Sequence, residues 1–541
     1  GMSLGAVLVG QRSERLREPL RWYAGVELAV GLIGFAFHWV YLGMTYLAYT
    51  FLFPLCAGTT ALIIVKWAMA SALLLPQSVL LGDTFPCMSA AVLRRTTQQP
   101  GRVLALLYCA NSLGAALGVL GAGFYLIDRV GLPGAIRTAA CLNVVVALVI
   151  YGVARRGAAP MPAVMHPETQ AYTAPGGLGS LTLRRLWHLL LGVSFATAVA
   201  SFIYEIGWIR MLSLVLGSAS HAFELMLSAF ILGLALGALW VRQRADQFRV
   251  PLRALGVVQW LMGCMALATL PVYVASFQWM ATSMAAFGRT EEGYVAFNLA
   301  RYGISLAVML PATFCAGITL PLITKILLVA GKGERAIGWV YGLNTLGAIA
   351  GVVLAGLVLL PWLGLKTLLI VGGAFDMAIG VVIFACLPSP VRVRVRLAGT
   401  AAVATALLVW LVSHGTTFDR TILSSGVFRY GNLPGPGERE VLFYQDGRTA
   451  TVAAIRFTDS GTVLLATNGK PDGSLAPVWL EFRNAPAALQ TLSSDAATQV
   501  LLPLLTLAHA PHGRNAAIIG HGTGQSSHTL LGNPRLERLV T

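Results

Sequence analysis

The chain of 541 residues is 56% hydrophobic and only 11% charged, with a net charge of +16, whereas an ordinary soluble domain is about 25% charged. These proportions set aside a soluble globular core and place most of the chain in lipid. The positive charge does not indicate nucleic acid, because the basic residues are spread through loops rather than gathered on one face or tail.

The first residue is Gly rather than Met, an apolar run is already under way and no signal peptide precedes it, so the sequence is expected to open inside a helix. Long apolar segments then recur over residues 22–387, separated by short loops carrying charge, Pro or Gly. At about 20 residues per span they predict roughly eleven helices. The loops hold Arg12, Arg15, Arg17 and Arg21, then Arg94, Arg95 and Arg102, the pairs Arg155/Arg156 and Arg184/Arg185, the group Arg242, Arg244, Arg249 and Arg253, then Lys332 and Arg335, and last Arg392, Arg394 and Arg396. By the positive-inside rule these loops mark the cytoplasmic side. The seven cysteines lie in apolar stretches without C-x-x-C or Cys/His metal spacing, which predicts inert buried thiols and no metal site.

One unit occurs twice. Gly1, Gly5, Gln11, Arg12, Pro19, Leu20 and Arg21 return as Gly233, Gly237, Gln243, Arg244, Pro251, Leu252 and Arg253, a constant shift of 232 positions. Pro76, Gly82, Thr84 and Pro86 match Pro311, Gly317, Thr319 and Pro321, and Tyr108, Asn111, Gly114, Gly118 and Gly131 match Tyr341, Asn344, Gly347, Gly351 and Gly364. The second copy begins earlier, with a helix from about residue 187, so the opening helices of the first copy are expected to be missing. Two parallel units of about six helices, each with a Gly-rich second helix running into a basic loop, resemble the major facilitator architecture.

Charged residues inside spans are costly and are functional candidates by default. Glu205 and Arg210 lie near the end of one helix, shortly before Gly217-Ser218-Ala219-Ser220, so they are either functional or an interfacial pair. Asp83 stands where the second copy has Ile318, which points to a proton- or substrate-coupled role, with an interfacial cap on a broken helix as the alternative. Asn111 and Asn344 precede G-x-x-x-G spacings that let helix backbones approach, and a packing role is expected. Trp240, Trp339 and Trp362 read as interfacial anchors.

After Arg396 a last apolar segment over residues 397–412 is just long enough to span. Composition then changes. Residues 438–446, 449–457 and 462–467 read as strands separated by Asp446-Gly447, Asp459-Ser460-Gly461 and Asn468-Gly469 turns, predicting a small antiparallel sheet. A helix over residues 496–508, with Ser494 or Asp495 as N-cap, leads to Ala516-Ala517-Ile518-Ile519-Gly520-His521-Gly522-Thr523-Gly524, a buried strand delivered into a glycine-rich turn. A short helix near Ser526 and a strand from about Leu536 follow, which is the start of a parallel, Rossmann-like α/β domain.

The series Tyr444-Gln445-Asp446-Gly447-Arg448-Thr449-Ala450-Thr451-Val452, Asn468-Gly469-Lys470-Pro471-Asp472, Thr498-Gln499 and the glycine turn, together with Tyr204-Glu205, Trp208, Arg210 and Asn344-Thr345-Leu346-Gly347-Ala348, resembles bacterial membrane-fused spermidine synthase-like proteins. In that family a major-facilitator-like region precedes a polyamine-synthase-type domain. The resemblance implies a first transmembrane repeat over residues 1–154, a linker over 155–186, a second repeat over 187–388, a basic loop and final apolar segment over 389–414, and the N-terminal part of the synthase-like domain over 415–541.

It further implies a multi-pass protein of the bacterial inner membrane. Its reaction would be aminopropyl transfer to a polyamine from a decarboxylated S-adenosylmethionine-type cofactor, held by Gly520, Gly522, Thr523 and Gly524, with Gln499 at the substrate. Such attack needs the amine deprotonated and aligned with the sulfonium-bearing carbon. The family's Tyr-His-Glu stretch is replaced here by Thr498-Gln499-Val500, and its ribose-binding acid and catalytic aspartates would fall beyond Thr541, so the sequence as given is expected to be inactive alone. The alternative is a transporter of polyamines or other cations with a sensory or vestigial nucleoside-binding tail. The partners are then the lipid bilayer and a small polyamine or cation. If residues 397–412 cross, the tail emerges on the outer face, away from the cytoplasmic S-adenosyl pool.

Overall fold

The computed structural model describes residues 1–56, 58–96, 99–156, 183–288, 290–477 and 494–541. The linker expected over residues 155–186 lies largely outside them. Twelve long helices come first: α1 (Met2–Arg12), α2 (Pro19–Leu47), α3 (Thr59–Arg95), α4 (Pro100–Gly121), α5 (Ile127–Arg156), α6 (Leu183–Leu216), α7 (Ser220–Arg242), α8 (Pro251–Ala286), α9 (Glu291–Val329), α10 (Arg335–Leu354), α11 (Leu360–Ala385) and α12 (Val391–Gly415).

Among the described residues, nine helical segments are long and apolar enough to cross a bilayer. The chain is a multi-pass membrane protein. Two of these segments, Pro100–Arg156 and Arg335–Ala385, contain 57 and 51 residues. At about 1.5 Å per residue each is more than twice the roughly 30 Å of a hydrocarbon core. Each is interrupted by a π-helical turn, Ala122–Leu126 or Ala355–Leu359, and by a left-handed glycine, Gly131 (φ 66°) or Gly364 (φ 71°). The halves take different partners: α4 packs on α7 and α5 on α2, while α10 packs on α6 and α11 on α8.

Glycine fixes two helix crossings in the same way. A Cβ on Gly5 of α1 would overlap the Val79 carbonyl oxygen of α3, and one on Gly82 would overlap the Met2 carbonyl. At the α7/α9 crossing, Gly237 meets the Phe314 carbonyl and Gly317 the Leu234 carbonyl. Small residues allow this backbone contact, which supplies dispersion energy where lipid offers no hydrophobic drive. Gly347 and Gly351 of α10 likewise close on the Phe195 and Val199 carbonyls of α6, and Asn344 Nδ2 donates to the Ser194 carbonyl at 3.2 Å. The packing expected at Asn111, Gly114 and Gly118 of α4 differs: these residues are exposed, and no described helix occupies that face.

The densest core lies in the second half of the bundle, around the fully buried Tyr204, Trp208, Tyr273 and Phe277. Cys87, Cys109 and Cys315 are buried, Cys56, Cys264 and Cys386 partly so, and Cys141 of α5 is exposed, a departure from seven buried thiols.

Beyond α12, the short helices α13 (Arg420–Leu423) and α14 (Val427–Tyr430) lead into a four-stranded antiparallel sheet, β1 (Arg439–Asp446), β2 (Thr451–Phe457), β3 (Val463–Thr467) and β4 (Lys470–Leu475), in sequential order. β4 was not among the expected strands. Its hairpin uses Asn468 (φ 50°) and Gly469 (φ 75°), the positive-φ pair of a two-residue turn. Pro471 is tolerated because β4 is an edge strand with a register shift opposite Leu465/Ala466.

Helix α15 (Ser494–His509), β5 (Asn515–Ala517), α16 (Gln525–Leu531) and β6 (Arg538–Val540) complete the chain, with β5 and β6 parallel. The strand before the glycine turn is not buried as expected; Ile519 is wholly exposed. Among the described elements only β6 lies substantially against β5. Asp495 lies inside the first turn of α15 rather than at its cap, and its Oδ2 accepts from Ser474 Oγ of β4 at 3.1 Å.

The basic loops cluster at one end of the bundle. There Arg94 grips Glu334 through two 2.7 Å bonds and donates to the Ser13 and Leu16 carbonyls, and Asp246 accepts from the Gly101 and Arg102 amides at the start of α4. The sheet docks at the opposite end, where Arg210, Ser218 and Leu365 bond to its turns.

Candidate functional sites

In the glycine turn, Gly520, Gly522 and Gly524 have φ of 92°, 55° and 82°, a run of left-handed conformations open only to glycine at low cost. Gly524 N–H donates to the His521 carbonyl at 3.0 Å, closing the turn just before α16. Gly520 and Gly522 are exposed, and a Cβ on either would meet nothing within 4 Å. Their backbone is therefore free to approach a ligand.

Gln499 of α15 holds this turn to the sheet. Its Oε1 accepts from Thr523 Oγ1, its Nε2 donates to the Ser474 carbonyl at 3.2 Å, and its own carbonyl accepts from Ser526 Oγ at 2.9 Å. The position expected to face a substrate thus ties three elements together. Thr523 is spent on the same bond, which leaves Gly520 and Gly522 as the accessible part of the expected cofactor set.

The intramembrane candidates lie apart from this turn. Asp83 is buried in α3 against Gly5 of α1, and its Oδ1 has no hydrogen-bond partner among the described residues. Because α3 runs unbroken through it, Asp83 is not a cap on a broken helix. Glu205 is half-buried on α6. It forms no ion pair with Arg210, whose guanidinium reaches the sheet instead: Nη1 donates to Asn468 Oδ1 at 3.2 Å, and Nη2 to Thr451 Oγ1 at 3.2 Å and the Gly447 carbonyl at 3.4 Å. The tertiary contact wins because an arginine at a helix end reaches farther than its own helix.

Sequence reasoning overlooked Asp376 of α11. It is completely buried, accepting from Tyr204 Oη at 2.7 Å on Oδ2 and from Gln259 Nε2 on Oδ1. Gln259 also donates to Thr197 Oγ1 at 2.8 Å, and Tyr204 Oη lies 2.9 Å from the Gly372 carbonyl, so one carboxyl links α6, α8 and α11. The signal was available: Asp376 is the only acidic residue in the apolar run 365–387, the same criterion that singled out Asp83. Among the described residues, no three His, Cys, Asp or Glu side chains converge as a metal site.

In the sheet, burial and the neighbouring Asp446 carboxylate push the Tyr444 phenol far above its ordinary value, so it acts only as a neutral group. Fold and sites together define a class, a multi-pass helical membrane protein with a small antiparallel sheet near its C-terminal end. Comparison with family models, curated proteins and solved structures found no match to this chain.

Proposed function

We propose that the chain is a membrane-bound spermidine synthase-like protein of the bacterial inner membrane, whose C-terminal region binds an S-adenosyl-type nucleoside for aminopropyl transfer to a polyamine. The observation that carries this reading is the succession of antiparallel sheet, α15, β5, glycine turn, α16 and parallel β6, with Gly520 and Gly522 open to a ligand. That succession is how a Rossmann-like domain begins. The nucleoside would supply the activated aminopropyl carbon; the chain's own contribution is a turn that brings backbone N–H groups to the ligand, pinned by Gln499 and Thr523.

A major-facilitator-like duplication is supported by the π-turns and the glycine breaks, each recurring 233 residues apart, and by the matched crossings at Gly5/Gly82 and Gly237/Gly317. Titration of methylthioadenosine and decarboxylated S-adenosylmethionine into the purified protein tests the nucleoside reading. Saturable binding by the wild type, lost in Gly522→Val, is the expected result; no binding by the wild type removes it.

A second reading, transport of a polyamine or another cation, is favoured by one observation. Asp376 places a buried carboxyl at the meeting of three bundle helices, where a coupling ion or cationic substrate is ordinarily handled.

A further inference from the structure

Where the bundle meets the sheet, a cavity of about 180 Å³ opens between the end of α6, the 217–219 turn, the start of α7 and the sheet. A single water takes up about 30 Å³, so a small molecule fits. Its polar lining is Arg210, Ser213, Ser218, Thr449 and Asn468, and Ile209, Phe223 and Met226 form an apolar wall.

Two independent features give this cavity its sign. Arg210 is 7% exposed, lines the cavity and has an Nε with no hydrogen-bond partner among the described residues. Its three bonds go to neutral acceptors, and it belongs to none of the ion pairs of the described residues. Asp446 stands one hydrogen bond farther back, accepting from Thr451 Oγ1 at 2.9 Å and from the Leu365 amide at 3.2 Å. The second feature is α7, a helix of 23 residues that begins at the cavity wall with Ala219 as its N-cap and no side-chain cap bond. The first N–H groups of a helix and its dipole favour negative charge.

We infer that this cavity is a binding site for a small anion, a carboxylate or phosphate group carried on a short apolar body, held between Arg210 and the N-terminus of α7. Arg210 supplies the fixed charge, the dipole of α7 adds to it from the cavity wall at Ala219, and Phe223 and Met226 receive the apolar part. The same chemistry is offered by a free organic acid and by the headgroup of an anionic lipid at the membrane surface. The bundle supplies most of the cradle and the sheet closes it with Thr449 and Asn468, so its occupant touches both.

Thermal unfolding of the purified protein in neutral detergent, titrated with hexanoate, inorganic phosphate or hexanol, tests the inference. Native mass spectrometry of protein extracted from phosphatidylglycerol-containing membranes forms the second arm. The variants are Arg210→Gln, which removes the charge, and Ala219→Trp, which fills the exposed rim while leaving Arg210 in place. Saturable stabilisation by hexanoate or phosphate but not hexanol, weakened about tenfold or more in both variants, identifies a soluble anion. Retained phosphatidylglycerol in the wild type that is lost from both variants identifies a lipid headgroup. Wild-type protein that neither responds to the anions nor retains the lipid overturns the site. So does an Ala219→Trp protein that behaves like wild type in both arms.

Discussion

Asp376 shows how much one side chain decides. A buried carboxyl with only neutral partners is retained in a membrane core at a cost, so its contacts must be specific. Asp376→Asn keeps an acceptor for Gln259 and offers a donor to Tyr204, and is expected to shift stability by less than about 1 kcal/mol. Asp376→Leu leaves the buried Gln259 donor unmatched and is expected to cost about 1–3 kcal/mol, read as a lower unfolding temperature in detergent. Under the transport reading, Asp376→Asn also abolishes uptake into vesicles while the protein remains as stable as the wild type. Uptake at the wild-type rate would remove that reading. The acid itself was legible in the sequence by the rule that flagged Asp83. Its partners were not, because Tyr204 and Gln259 lie 172 and 117 residues away and only the packing of three helices brings them to it.

At the scale of elements, α9 contains its own control. Gly317 sits against the Leu234 carbonyl of α7, whereas Gly303 has nothing within 4 Å of where a Cβ would lie. Gly317→Ala is expected to force α7 and α9 apart at a cost of about 1–3 kcal/mol. Gly303→Ala should stabilise α9 by up to about 1 kcal/mol through helix propensity alone. Thermal unfolding of both variants separates the cases, and equal behaviour would contradict the crossing geometry. The expected strands β1 to β3 formed within two residues of the positions read from their β-branched content. β4 escaped because Pro and Asp argue against a strand unless its edge position is known, and that position is a property of the sheet rather than of the segment. The glycine turn was legible for a local reason, since closely spaced left-handed residues need glycine wherever they occur.

At the scale of the whole molecule, the two ends of the bundle differ in charge. The loops that carry Arg94, Arg102, Arg244 and Arg249 lie at one end, and the sheet docks through Arg210, Ser218 and Leu365 at the other. Applied to this arrangement, the positive-inside rule puts the sheet on the outer side. A cysteine at the exposed Ser460, in the β2–β3 turn, is expected to react with a membrane-impermeant maleimide in intact expressing cells, over the background of the chain's own cysteines. A cysteine at the exposed Arg249 should react only after permeabilisation. The reverse pattern would put the C-terminal region on the cytoplasmic side, where the proposed S-adenosyl-type ligand is found.

Composition, hydropathy and loop charge determined the membrane class and the basic end, because each depends on summed local transfer energies that need no partner; about eleven helices were expected where the described residues hold nine long apolar segments, two of which run on through a glycine break without a loop. Turn chemistry likewise determined three of the four antiparallel strands and the glycine loop. Only the tertiary structure decided that Arg210 leaves Glu205 for the sheet, that Gln499 ties the glycine turn to β4, and that Asp376 joins α6, α8 and α11. Each of these joins residues distant in sequence by a directional hydrogen bond, and such bonds form only once packing has placed donor and acceptor within about 3 Å of one another.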